Sequence, residues 1–337
     1  MPRYLEISGI ILLSLLGAGI PTFLYVLLIW WLDRYEKEPI SLLIVAFLWG
    51  SIFSVLVSLF IEILLGIPLS LLQEHLACYL ESGVVSPVVE ELAKGIMLLL
   101  FFLFASREFD DVLDGIIYGA MIGAGFGMSE NLLYFLSHYS KTNFAEWGIL
   151  MAFRSGLFGL NHTLYTSLTG AGFGLARYSP KIYKKILIPL FGFFLAVIVH
   201  AGHNLFLELS KTHRWTLLLS VVNVWTWTIV LFIAAILCWR QEKGWLRQEL
   251  KEEVENGILS MSEYLILLSY WRRARIWWKK IFKEGRKGAR EWAKFCQVTS
   301  ELAFKKHELS FVKDKEARKI EIETLRVEIN DISKKYS

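Results

Sequence analysis

The chain has 337 residues, 55% of them apolar, 13 tryptophans and a mean hydropathy of +0.45. Its net charge of +4 is too small, and too concentrated near the C-terminus, to point to nucleic acid. Cys78, Cys238 and Cys296 are scattered, which excludes a disulfide framework and a zinc knuckle.

The charge divides the chain. Residues 1–239 carry 13 Lys/Arg against 16 Asp/Glu, and residues 240–337 carry 23 against 16. The first part reads as a membrane domain and the second as a basic, helical tail facing the cytosol.

A hydrocarbon layer about 30 Å thick takes roughly 20 apolar residues of helix. Segments at about 7–32, 40–65, 84–105, 112–138, 147–176, 186–208 and 215–239 satisfy that, so the expected fold is all-α with about seven transmembrane helices. The first run follows a single basic residue, Arg3, and exceeds a signal-peptide core, so a retained span is expected. Arg34, Lys37, Arg107, Arg177, Lys181, Lys184, Lys185 and the basic tail share one side. The loop at 73–83 has no Lys or Arg, while Lys211 and Arg214 run slightly against the trend. The positive-inside rule then places the N-terminus outside and the C-terminus in the cytosol, in the plasma membrane. A short element near 67–80 is too brief to span.

In the tail, Ser260-x-x-Glu263 is a capping box. The stretch 270–282, YWRRARIWWKKIF, mixes aromatic and basic residues and suits either the anionic inner leaflet or the solvated face of a small helical bundle with a cytosolic partner. Residues 316–332 read as a helix.

Ionisable groups inside apolar spans cost roughly 2.5–3.5 kcal/mol each at mid-bilayer on insertion scales. Span three contains Glu90, Glu91 and Lys94, and span four Glu130 and Asn131. Span five contains Arg154 and His162, and span six His200, His203 and Asn204. Lys94 lies i,i+4 from Glu90 and i,i+3 from Glu91, close enough to neutralise one carboxylate. At 1.5 Å per residue, Glu91, Glu130, His200 and His203 all fall about 8–12 Å from the outer ends of their spans. Helices of alternating direction therefore bring their polar residues to one layer. His138, His75 and the Asp110, Asp111, Asp114 group read as interface, loop or cap residues. Gly115, Gly119, Gly123 and Gly127, with Gly170 and Gly174, form small-residue ladders suited to close helix packing.

Peptide hydrolysis needs an activated water, oxyanion stabilisation and a proton for the leaving amine. Two adjacent carboxylates beside a lysine can divide into a charged and a protonated member. Histidines and an asparagine can hold the oxyanion. Zinc would want three protein ligands and a water. His162, His200 and His203, or two of them with Glu130, supply that number. No H-E-x-x-H is present, so zinc and metal-free glutamate catalysis both stay open. A serine mechanism lacks G-x-S-x-G.

The order Glu90-Glu91-x-x-Lys94, Glu130-Asn131, His162 and His200-x-x-x-Asn204 resembles the PrsW family of membrane proteases, as does 33–39, DRYEKEP. Phe158-x-x-x-His162 and His200-x-x-x-Asn204 also fit the wider CAAX-protease and bacteriocin-processing superfamily. Lys94 departs from its Glu-Glu-x-x-x-Arg. The resemblance covers about residues 30–210. It implies cleavage of a single-pass membrane protein, such as an anti-sigma factor, near its extracytoplasmic side. Glu90, Glu91, Lys94, Glu130, Asn131, His162, His200 and Asn204 would form the catalytic set. A non-catalytic scaffold and a proton-coupled transporter are the competing readings, because buried Glu and His also serve those roles.

Overall fold

The computed structural model describes residues 3–105, 108–139, 143–309 and 315–333, with backbone alone at 3–6. Arg107 lies outside the described residues. Every regular element among them is helical, and the chain divides into two compact units. The first is 1–32 with 38–235. The second is 33–37 with 236–337.

In the first unit α1 (Arg3–Leu32) is followed by α2 (Ile40–Leu48) and α3 (Val55–Leu69), which a wide π-helical stretch, Trp49–Ser54, joins into one apolar rod. A short α4 (Glu74–Leu80) leads through a second wide turn, Glu81–Val85, into α5 (Ser86–Phe104). Then come α6 (Val112–Tyr139), α7 (Phe144–Met151), α8 (Asn161–Arg177), α9 (Ile182–Leu209) and α10 (Thr216–Glu255). Among the described residues, five helices are long and apolar enough to cross a membrane: 7–32, 40–69, 112–139, 182–209 and 216–255. The protein is a helical, multi-pass membrane protein.

The other two expected spans take different forms. α5 has the length of a span but carries Glu90, Glu91 and Lys94 within it. The expected span at 147–176 is not one helix. α7 opens at Asn143, whose side chain caps the Glu146 N–H, and passes into a π-helical stretch at Ala152–Leu157. The chain then turns at 158–160 before α8 begins. Gly159 lies in that turn and Gly156 just before it, and their low helix propensity makes the interruption inexpensive. Wide turns of this kind are often found where a helix must present a functional side chain. This one carries Arg154.

α6 is the hub of the unit. Inside the protein, 72% of its apolar window is buried, against 11–28% for the other four spans. Its glycines explain why α8 can lie against it. A Cβ at Gly119 would fall on the Thr166 carbonyl, and one at Gly123 on the His162 carbonyl. The ladder therefore brings two backbones into direct contact, and with them the residues each helix carries.

The second unit is a bundle built from the polar half of α10 with α11 (Met261–Leu267), α12 (Tyr270–Glu308) and α13 (Lys315–Ser333). The capping box at Ser260 and Glu263 is formed. Leu246, Leu250, Leu267, Phe295, Leu302, Ala303 and Ile329 make its dry core, joined by Tyr35 from the short 33–37 segment. Glu253 is fully buried. It is held by Lys306 at 2.6 Å and Arg326 at 2.7 Å, which ties α10 to α12 and α13. Burial pushes the Cys296 thiol in this core up to about 11.

Candidate active site

α5 supplies a carboxylate pair and a lysine one helical turn apart. Lys94 Nζ donates to Glu91 Oε1 at 2.6 Å and to Glu90 Oε2 at 3.3 Å, and it lies 4.0 Å from the centroid of the Phe126 ring. All three side chains are buried. Glu91 is the deeper carboxylate: its second oxygen accepts from Thr166 Oγ1 at 3.3 Å. Glu90 instead lines a cavity of about 630 Å³.

α8 and α9 bring the histidines. His162 opens the first turn of α8. Its Nε2 lies 2.8 Å from Glu130 Oε2 and its Nδ1 lies 3.2 Å from Lys94 Nζ. His200 Nδ1 lies 3.1 Å from Glu91 Oε1, and Tyr165 stacks on the His200 ring at 4.4 Å. Glu90, Glu91, His162 and His200 thus offer four donor atoms that all lie within 4.8 Å of one another.

That donor set fits a divalent metal. Two imidazoles and two carboxylates are a donor set that suits zinc and its neighbours, and in this structure the Lys94 ammonium lies among them, contacting Glu90, Glu91 and His162 Nδ1. Glu130 holds the outer nitrogen of His162, leaving Nδ1 directed at the cluster, which is the carboxylate–histidine arrangement seen behind metal ligands. Arg154 holds Glu130 in turn, donating to its Oε2 at 2.7 Å and to Asn131 Oδ1 at 2.9 Å. Its guanidinium lies 3.7 Å from the Tyr134 ring centroid.

His203 does not join this group. Its Nε2 accepts from Asn161 Nδ2 at 2.8 Å and its Nδ1 faces Ser220 Oγ at 2.6 Å, so both ring nitrogens are engaged elsewhere. The expected three-histidine set is therefore not assembled. Residues three apart on a helix differ by about 60° in direction, and His203 points toward α10 rather than α5. Asn204 lines the cavity but donates to the Ser82 carbonyl at 3.1 Å, bracing α9 against the turn before α5.

Three participants escaped the sequence reading of the site. Arg154 was visible as a charge in an apolar segment, and the same insertion cost that singled out Glu130 calls for a cationic partner near it. Tyr165 sits one helical turn beyond His162. Thr166 gave no signal, since a threonine in a helix is ordinary.

The cavity is enclosed by α3, α5, α6, α8 and α9 together with the turns at 81–85 and 152–160, and its lining runs out to His138 and Lys211 at the helix ends. A hollow among membrane helices, with acid–base groups lining it, is the setting a membrane-embedded hydrolase needs. Comparison with known proteins gives the particular kind. Residues 38–236 match the PrsW family intramembrane metalloprotease family, and the chain belongs to it. A relative named Protease PrsW from Geobacillus kaustophilus is 28% identical over 250 residues, covering 70% of this chain and 95% of the relative. Proteins of the same name from Oceanobacillus iheyensis (28%, covering 66% and 94%) and Bacillus subtilis (25%, covering 63% and 91%) are also similar. No solved structure matches the chain. The protein is a membrane peptidase.

Proposed function

We propose that the protein cleaves single-pass membrane proteins, anti-sigma-factor-like in architecture, near the extracytoplasmic face of the plasma membrane. The observation that carries this reading is the position of Glu90. It is the member of the carboxylate pair that meets the cavity, with His162 and His200 beside it.

In this reading Glu91, His162 and His200 would hold a divalent ion, which would supply Lewis acidity to the scissile carbonyl and the attacking water, and Glu90 is the base. Glu90 takes the proton of that water and returns it to the leaving amine. Lys94 keeps the buried carboxylates from repelling one another. Arg154, facing the cavity beside Glu130 and Asn131, places positive charge where the oxyanion develops. The cavity has room for a few residues of extended chain. That favours a substrate unwound at the cleavage site over one cut as an intact helix.

The outward opening is supported by loop charge. The helix ends around Glu81, His138 and Lys211 lie on the side that the Lys/Arg distribution assigns to the exterior, with the N-terminus outside and the C-terminus cytosolic.

The test is proteolysis in reconstituted vesicles, with a panel of single-pass substrates and with parent and Glu90→Gln proteins of equal folded content. Cleavage by the parent, lost in the variant, is the expected result. Cleavage that survives Glu90→Gln removes Glu90 as the base. A panel that the parent never cuts, combined with solute or proton flux in the same vesicles, transfers the site to transport.

A further inference from the structure

We infer that the first half of α12 docks on the anionic headgroup layer of the membrane that the helices of the first unit span. α12 carries an internal break: Gly285 has φ +70°, outside the helical region. Beyond the break, Trp292, Phe295 and Leu302 point into the core of the second unit. Before it, the helix has two faces of different character. One packs inward through buried Arg273 and the partly buried Ile276 and Trp277. Arg273 is fixed there by the Leu267 carbonyl at 2.7 Å and by Ser300 Oγ at 2.9 Å.

Among the described residues the other face is exposed. Trp271, Trp278 and Phe282 are 69%, 56% and 82% exposed. At 100° per residue, positions 271, 278 and 282 fall within about 20° of one line along the helix. Arg272, Arg275, Lys279 and Lys283 flank that line and are all exposed. From 271 to 290 there are nine Lys/Arg and one acidic residue, Glu284. A row of aromatics edged by cations is matched to lipid headgroups: indole and phenyl rings settle at the interface, and the basic side chains meet the anionic charge.

Position along the chain supplies the occupant. Arg34, two residues past the end of α1, lies over the Trp239 ring at 3.6 Å and 5.3 Å from the Tyr270 ring centroid. In sequence, Arg34 and Trp239 directly follow the apolar runs that end α1 and the first part of α10, and α12 starts beside both within the second unit. A basic, aromatic helix tethered by so short a chain to membrane-crossing segments has lipid headgroups within reach.

The experiment is hydroxyl-radical footprinting of the full, unsubstituted chain in nanodiscs of phosphatidylcholine alone, or of phosphatidylcholine and phosphatidylglycerol in equal parts. The expected result is an oxidation yield at Trp271, Trp278 and Phe282 at least about threefold lower in the anionic discs, with exposed Ile320 on α13 unchanged. The Lys279→Glu, Lys283→Glu double variant, checked for an unchanged melting temperature, should abolish that difference. Equal oxidation in both discs overturns the proposal. So does protection that ignores lipid charge and rises with the number of chains per disc, which would make the face a self-association surface.

Discussion

The Nε2 of His162 lies 2.8 Å from Oε2 of Glu130, and this contact decides which ring nitrogen faces the carboxylates. With Nε2 donating to Glu130, Nδ1 is left to accept from Lys94 Nζ at 3.2 Å, with Glu90 Oε2 nearby at 3.6 Å. α6, through Glu130, thereby orients an imidazole carried by α8. The backbone contact between the two helices at Gly123 sets how closely they approach.

Glu130→Gln keeps the shape of that contact but weakens the charge that orients the imidazole and pairs with Arg154. Outer partners of metal ligands are worth about 10–100-fold in affinity or activity. Cleavage should fall by that factor, and the protein should remain folded. Metal titration with a competing chelator, run beside the proteolysis assay, would detect both losses. Unchanged metal affinity and rate would make the Glu130–His162 contact incidental.

Metal content should separate the acidic residues and the histidines by role. Glu91→Gln and His162→Gln are expected to lose bound metal. Glu90→Gln should retain it while cleavage falls by about 10²–10⁴-fold, as loss of a general base does. His203→Gln should retain it too, because both nitrogens of His203 are engaged by Asn161 and Ser220. Elemental analysis of the purified variants reads all four. Stripping the parent with a chelator should abolish cleavage, and restoring a divalent ion should recover it.

Much of this site was legible in the sequence because the membrane makes charge conspicuous. Glu90, Glu91, Lys94, Glu130, His162 and His200 stood out as residues that an apolar helix carries only at a cost, and the structure gathers them at one centre. Direction around a helix was less legible. His203 shares a turn with His200 but lies about 60° around the helix, where Asn161 and Ser220 engage its ring. Continuity was hidden as well: the sequence predicted a single span at 147–176, whereas the chain leaves helical geometry at 158–160, where two glycines make the break inexpensive. The count of apolar spans is lower than expected for a related reason. The charges that identify α5 as part of the site also remove it from the helices that are apolar enough by composition.

Gly123→Val tests the close approach directly. Its branched side chain would meet the His162 carbonyl, backbone that cannot swing aside, so α8 must retreat. Overpacking of this kind costs about 1–3 kcal/mol, and a rigid backbone neighbour puts the change at the upper end. The expected outcome is a lower melting temperature in detergent and a cleavage rate reduced more than the folded fraction. A Gly9→Val control, where a Cβ meets nothing within 4 Å, should leave both unchanged.

The second unit offers an independent check on packing. Glu253 is buried between Lys306 and Arg326, and Glu253→Ala would leave the two cations sharing only the exposed Glu252. Breaking a buried pair from one side costs about 3–5 kcal/mol, less here because Arg326 is partly exposed, so roughly 2–3 kcal/mol is expected. The bundle core would then open more often. Cys296, buried with its thiol pushed up to about 11, should react slowly with maleimide at neutral pH in the parent and measurably faster in Glu253→Ala. Mass spectrometry of the labelled Cys296 peptide gives the rate. Equal rates in the two proteins would mean that the Glu253 ion pairs do not hold the bundle closed.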